Sequence, residues 1–271
     1  RRAPVTIRPL LNRLSKAELM TLLENSGIST VSTRIAQRGL IVTDGSLSPS
    51  HVNSVSDYIT QEEGAQVVTE LVCSLTDQLK DPLVLDLCAA PGSKTVGIAC
   101  NGKPIHVIAS DYRPQRTTLL SETLDRHNIS NASIVRLNAE EPLPFPVAFD
   151  VILVDAPCSG LGILRRDPDI RWRRAAEELE VFSARQLRML KCAAEVLAPN
   201  GWLVYATCST EPEETNDVIN QFLSERHDFL IKRPATPEFH AYMDQDGFLR
   251  TLPFRDGIDG FFAAALQKQI P

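Results

Sequence analysis

The sequence predicts an α/β fold: a mostly parallel sheet with helices on both faces, preceded by a small α+β piece. Three observations predict it. Short apolar runs alternate with longer helical patterns through most of the chain, as in a wound parallel sheet. One run, Leu83 to Leu87, leads through a Pro91-Gly92 turn into polar Ser93-Lys94-Thr95 and then into apolar residues from Val96. That order reads as buried strand, turn and helix start. Finally, acids or cysteines follow the ends of successive runs, where open α/β sheets bind ligands.

Composition narrows the class. At 43% hydrophobic and 23% charged, the 271 residues are ordinary for a globular protein, and no apolar run has the length of a membrane span. Six cysteines form no Cys-x-x-Cys pair, which argues against a disulfide framework or a zinc site and for a reducing, cytoplasmic setting. No metal is expected, and a monomer is. The net charge of −6 argues against indiscriminate nucleic-acid binding, although clustered basic residues still permit local contacts. The chain opens on Arg1 rather than Met, so it reads as a piece of a longer protein.

Residues 1–50 read as a small α+β subdomain and residues 51–271 as the larger α/β domain. Val5 to Ile7 is the first strand. Ser15 with Glu18 has the spacing of a capping box, and Leu19, Leu22 and Leu23 form a helical stripe that ends near Gly27. Gly39 to Val42 is a second strand. Arg1, Arg2, Arg8, Arg13 and Lys16 make this end basic, either as a solvated surface or as a face for nucleic acid. Residues 46–56 are polar and turn-rich, a linker. A helix follows over Gln61 to Leu79, then the strand Leu83 to Leu87. The next strands are Ile105 to Asp111, Ser133 to Leu137, Phe149 to Asp155, Gly201 to Thr207 and Gly260 to Leu266, with a long helix over Ala175 to Leu197.

The turn Cys88-Ala-Ala-Pro-Gly-Ser-Lys94 has one glycine, so it is not the Gly-x-Gly-x-x-Gly of a dinucleotide site. A smaller ligand suits it. S-adenosylmethionine fits, because its amino acid end needs a few amides and a nearby acid. Asp111 ends the next strand, about twenty residues past the turn, where an acid commonly accepts from ribose hydroxyls. It could equally cap the helix that follows. Cys73, Cys100 and Cys192 lie in apolar runs and read as small buried residues. Cys158 and Cys208 follow strand ends beside small polar residues, where helix amides would favour a thiolate.

Two thiols and the carboxylate of Asp155 suit one difficult reaction. Carbon 5 of a pyrimidine is a poor nucleophile toward a sulfonium methyl group. A thiolate adding to carbon 6 makes an enamine-like species whose carbon 5 can attack. The carbon-5 proton must then leave and the thiolate be expelled. An acid at the base edge stabilises the adduct, and a second thiol can assist its breakdown. The run Leu164 to Arg174 interleaves five arginines with Trp172, which suits phosphate contact and base stacking.

These residues resemble the Sun-type RNA cytosine-5 methyltransferases, in particular their bacterial RsmB branch, which modifies small-subunit ribosomal RNA. The resemblance runs through Asp86 to Lys94, Asp111, Asp155-Ala-Pro-Cys-Ser-Gly160, Arg165-Arg166 with Pro168 to Trp172, and Tyr205 to Ser209, with Gln61 and Gln66 ahead of the turn. It implies a Rossmann-like methyltransferase fold. It implies Cys208 as nucleophile, Cys158 as the release cysteine and Asp155 as the acid. For the cofactor it implies Cys88, Ala89, Ala90, Pro91, Gly92, Ser93, Lys94, Asp111, Arg116, Asn138 and Asp155. For RNA it implies Arg165, Arg166, Arg171 and Trp172, with residues 1–50 facing the RNA. The chain departs from the family at Ser93, usually glycine, at Asn138, often Asp, and at Leu10, where the family tends to Asn. The helical RNA-binding domain that RsmB proteins carry upstream is expected to be missing from this chain.

Other classes fit less well. An amino-group methyltransferase would place a Pro-Pro-aromatic motif where Ala156-Pro157-Cys158 stands. A DNA cytosine methyltransferase would use the Pro-Cys cysteine and need no Cys208. Action on tRNA or another RNA, and a non-catalytic RNA-binding protein with this fold, are the remaining alternatives.

Overall fold

The computed structural model describes residues 3–47 and 57–270. The linker expected over residues 46–56 therefore lies almost wholly outside the described residues, as do Arg1 and Arg2. Two sheets are present. The first holds β1 (Val5–Pro9), β2 (Ser29–Ser32), β3 (Leu40–Asp44) and β4 (Tyr58–Thr60), antiparallel in the order β2-β3-β1-β4. Helix α1 (Lys16–Asn25) covers it with Leu19 and Leu23. The expected capping box forms, Ser15 Oγ accepting from the Glu18 N–H and Glu18 accepting from the Ser15 N–H.

Arg8, Arg13 and Lys16, the described basic residues of this end, each bond to a backbone carbonyl. Arg8 is only 1% exposed and donates to the Gly97 carbonyl at 3.3 Å. Arg13 donates to the His127 carbonyl, and Lys16 to that of Gln37. The small sheet is locked to the larger body through helix α2 (Glu63–Thr76). Glu63 accepts from the amides of Ile35 and Ala36, and Glu70 from those of Gln37 and Arg38.

Strands β5 (Leu83–Leu87), β6 (His106–Asp111), β7 (Ala132–Arg136), β8 (Phe149–Asp155) and β9 (Leu197–Thr207) run parallel in the order β9-β8-β5-β6-β7. Helices α3 (Ser93–Ala99) and α4 (Pro114–Arg126) follow β5 and β6; the four-residue α5 (Ile170–Arg173) and the long α6 (Glu177–Glu195) lie between β8 and β9. Beyond β9 come α7 (Asn216–Glu225), β10 (Phe229–Ile231), β11 (Leu249–Thr251), α8 (Pro253–Asp256) and β12 (Phe261–Lys268). Strand β12 is antiparallel and lies inside the sheet, between β10 and β9.

Alternation along the strands builds two cores. Val151, Leu153, Val204 and Ala206 face α2 and α3. Ile152, Val154, Leu203 and Tyr205 face α6 and α7. Strand β5 pairs with β6 on one side and β8 on the other. Chain order reverses there, so its carboxyl end opens a crevice.

Candidate active site

Each expected strand-end residue can be located at or near this crevice. The turn after β5 is tight: Cys88 has φ 62°, the Ala90-Pro91 peptide is cis, and Gly92 has φ 110°. A Cβ on Gly92 would also stand 2.9 Å from Leu120, so a side chain fits neither the backbone nor the space. A cleft of about 660 Å³ lies over the strand ends. Cys88, Ala90, Lys94, Asp111, Arg116, Asn138, Asp155, Cys158 and Cys208 all line it.

Ala89, Pro91, Gly92 and Ser93 do not line this cleft. Pro91 and Ser93 line a separate groove of about 340 Å³ beside α4. Ala89 and Gly92 are buried and line neither. Asp111 is not itself the N-cap of α4, although its Oδ1 accepts from the Arg113 N–H at 3.4 Å. Arg113 is the N-cap, because Pro114 takes the first helical position, where its missing N–H costs nothing. Asp111 Oδ2 accepts from Arg116 Nε at 2.9 Å, and Arg116 also donates to the Ala90 carbonyl.

Beneath the cleft, Asp86 is fully buried, with Thr95 Oγ1 donating to its Oδ2 at 2.6 Å. Burial pushes its carboxyl up to about 7, against the pull of the Thr95 bond. Lys94 Nζ lies 2.7 Å from Asp155 Oδ2 and 6.0 Å from the centre of the Phe261 ring. Burial alone would lower the Lys94 ammonium, but the bonded Asp155 outweighs it and the net shift is upward. The Cys158 and Cys208 sulfurs are 3.2 Å apart. Helix amides do not favour a thiolate at Cys158 as expected. Its hydrogen bond with Cys208, then burial, push this thiol well above its ordinary range.

The arginine-rich run divides. Arg165 and Arg166 both pair with the buried Asp259, and Arg165 also donates to the Gly257 carbonyl at 2.9 Å. That makes them fasteners between the loop after β8 and the start of β12, and Arg166 also lines the cleft. Trp172 is 81% exposed and Arg171 is exposed beside it.

Sequence reasoning missed several lining residues: Glu62, Ser110, Tyr112, Arg174 and Phe261. Ser110 Oγ is buried with no hydrogen-bond partner among the described residues, a polar atom left for a ligand. Tyr112, exposed directly after Asp111, could have been found from that adjacency. Glu62 gave no signal, because its place in the cleft depends on how α2 meets β12. It caps α2 by accepting from the Gly64 and Ala65 amides, and burial pushes its carboxyl up to about 7.

A cleft of this size, half apolar, with an acid beyond β6 and an unpartnered hydroxyl, fits a nucleoside-sized ligand carrying an amino acid tail. Among the described residues no group of three or more His, Cys, Asp or Glu is placed to hold a metal, and no helix is long and apolar enough to cross a membrane.

Comparisons with known proteins agree in direction. Residues 73–267 match the family model described as 16S rRNA methyltransferase RsmB/F. The ribosomal RNA small subunit methyltransferase B of Pasteurella multocida is 37% identical over 228 residues, covering 80% of this chain and 50% of that protein. A probable ribosomal RNA small subunit methyltransferase B of Bacillus subtilis is 30% identical over 270 residues, covering 97% and 60%. The chain thus spans half to three-fifths of the length of these curated relatives. A methyltransferase homolog from Pyrococcus horikoshii superposes with TM-score 0.83 at 25% identity, covering 99% of this chain and 87% of that one. With a family match over most of its length and the strand-end residues gathered at one cleft, the chain belongs to the RsmB/F family of 16S rRNA methyltransferases.

Proposed function

We propose that this chain transfers a methyl group from S-adenosylmethionine to carbon 5 of a cytosine in RNA, with small-subunit ribosomal RNA as its substrate. The observation that carries the reading is the pair of thiols 3.2 Å apart at the ends of neighbouring strands, opening on the cleft that Lys94 and Asp155 also line. Bound S-adenosylmethionine supplies an electrophilic methyl group. Cys88, Ala90, Asp111, Arg116, Asn138 and Ser110 are the residues that would hold it, with Asp111 turning from Arg116 toward the ribose. Ala89, Pro91, Gly92 and Ser93 shape the turn.

Cys208 acts as nucleophile at carbon 6. Lys94 holds Asp155 Oδ2, which leaves Oδ1 for the exocyclic amine of the base. Cys158, retained as a thiol, donates to the Cys208 sulfur and assists its release once the carbon-5 proton has left. Trp172 and Arg171, exposed on α5, offer stacking and phosphate contact.

Denaturing gels of each variant mixed with substrate RNA and S-adenosylmethionine test the roles. Cys208→Ala should be inactive and leave no covalent band. Cys158→Ala should accumulate protein attached to RNA, and the double variant should not. A band from Cys208→Ala would reverse the assignment, and no band from either, with activity kept, would remove covalent catalysis. Running the same assay on small-subunit ribosomal RNA, tRNA and DNA separates the substrate classes.

A further inference from the structure

The most exposed large apolar side chain among the described residues has no place in the reaction above. Phe254, on α8, is 87% exposed. α8 lies on the short connection between β11 and β12, which pair antiparallel with Thr251 opposite Phe261. Because β12 also runs antiparallel to β9, its first residues sit beside the end of β9, with Phe262 opposite Thr207. Phe261 lines the cleft there. The connection that carries Phe254 is therefore at the carboxyl edge of the sheet, next to the cleft.

The turn is braced from inside and outside. Asp256 Oδ2 accepts from the Leu252 N–H at 2.7 Å, and Gly257 closes the turn at φ 72°. Arg34, between β2 and β3, donates to the Asp256 carbonyl at 3.0 Å. Arg165, in the loop after β8, donates to the Gly257 carbonyl at 2.9 Å. Phe254 is thus held out on a fixed support, and little freedom is lost when a ligand settles on it. The charges at the surface around it have one sign. Arg34 and Arg255 are exposed, and Arg34 bonds to a carbonyl rather than a carboxylate. The acids of this turn, Asp256 and Asp259, are 5% and 0% exposed. An exposed ring beside guanidinium groups suits a nucleotide, whose base stacks on the ring while its phosphate meets the cations.

We propose that Phe254 is a stacking platform for one nucleotide of single-stranded RNA flanking the target base, with Arg34 and Arg255 contacting its phosphates. The proposal rests on the RNA reading above. It gives the substrate a second aromatic contact besides Trp172, carried by the connection between β11 and β12.

Fluorescence anisotropy of labelled single-stranded oligonucleotides from small-subunit ribosomal RNA, titrated with the full chain, tests this. Phe254→Ala should weaken RNA binding roughly tenfold. Phe254→Leu, which keeps an apolar side chain but no ring, should be weakened as much, and Phe254→Tyr should bind like the parent. Melting temperature and S-adenosylmethionine affinity should not move in any of them. Oligonucleotides trimmed stepwise from each end add a second readout. At one step the parent alone should lose affinity, and beyond it the parent and Phe254→Ala should bind alike. A penalty for Phe254→Ala that persists at every length is a general disturbance and overturns the proposal. Parental RNA binding by Phe254→Ala also overturns it. So does parental binding by Phe254→Leu, which marks a merely apolar contact. A parent chain that binds no RNA removes the RNA reading and this proposal with it. Binding by the parent that is indifferent to residue 254 removes this proposal alone.

Discussion

Asp86 shows how one residue can couple the site to stability. Its carboxyl stands at about 7 in the fold against a reference of 3.8, so the folded state binds more protons than the unfolded one between those values. Its contribution is fully present below about pH 4 and is lost as pH rises through 7. Glu62, pushed up to about 7, acts in the same direction and window. Between about pH 4 and 7, therefore, the unfolding free energy should fall with rising pH, by up to about 1.4 kcal/mol per unit for each group that titrates fully. Asp86→Asn should roughly halve that slope while leaving Glu62 to act. Equal slopes in parent and variant would mean that Asp86 does not carry the coupling.

At the scale of elements, Gly162 and β12 fasten the loop that bears Cys158. The Gly162 N–H donates to the Cys208 carbonyl at 3.0 Å, and the Gly260 N–H donates to the Gly162 carbonyl at 2.8 Å. A Cβ on Gly162 would meet the Gly260 carbonyl oxygen at 2.2 Å and that of Cys208 at 2.8 Å. Both are backbone atoms, so the loop must move away from both strand ends. Gly162→Ala should therefore lower the melting temperature and reduce methyl transfer by at least tenfold, with the secondary-structure spectrum kept. Normal turnover in the variant would show that the thiols tolerate this displacement.

The elements differ in how legible they were. Leu83–Leu87 and Phe149–Asp155 could be read residue for residue, because continuous apolar runs bounded by turns mark buried parallel strands. Strand β2, Ser-Thr-Val-Ser, is mostly exposed and carries no apolar pattern. β4, β10 and β11 are three residues each, too short for any period to register. Those strands exist because a partner strand lies alongside, which is a property of the tertiary fold. The same holds at the cleft. Strand ends could be located from local sequence, whereas Glu62 and Phe261 arrive there from other parts of the chain. The double pairing of Arg165 and Arg166 was invisible for that reason: Asp259 lies more than ninety residues away.

Across the whole molecule, that pairing separates two kinds of basic residue. Arg165→Ala and Arg166→Ala should each lower the melting temperature, since Asp259 is fully buried and loses a partner. Trp172→Ala, at an exposed position, should leave the melting temperature unchanged and raise the KM for RNA several-fold, with cofactor affinity kept. A Trp172 variant with parental KM would move the RNA track elsewhere on the surface.

The place of β12 has a consequence for the order in which the protein can be made. The strand is interior to the sheet, yet it follows every other described strand in sequence. A nascent chain that has emerged only as far as residue 260 already contains both cysteines, Lys94, Asp155 and the whole parallel sheet. It lacks Phe261 on the wall of the cleft and leaves the long edge of β9 unpaired. Through the later stages of synthesis, then, the chain carries both thiols beside an open sheet edge, the kind of surface on which unfinished chains associate. The wall of the cleft and the edge of the sheet are completed in one event, by the same eight residues.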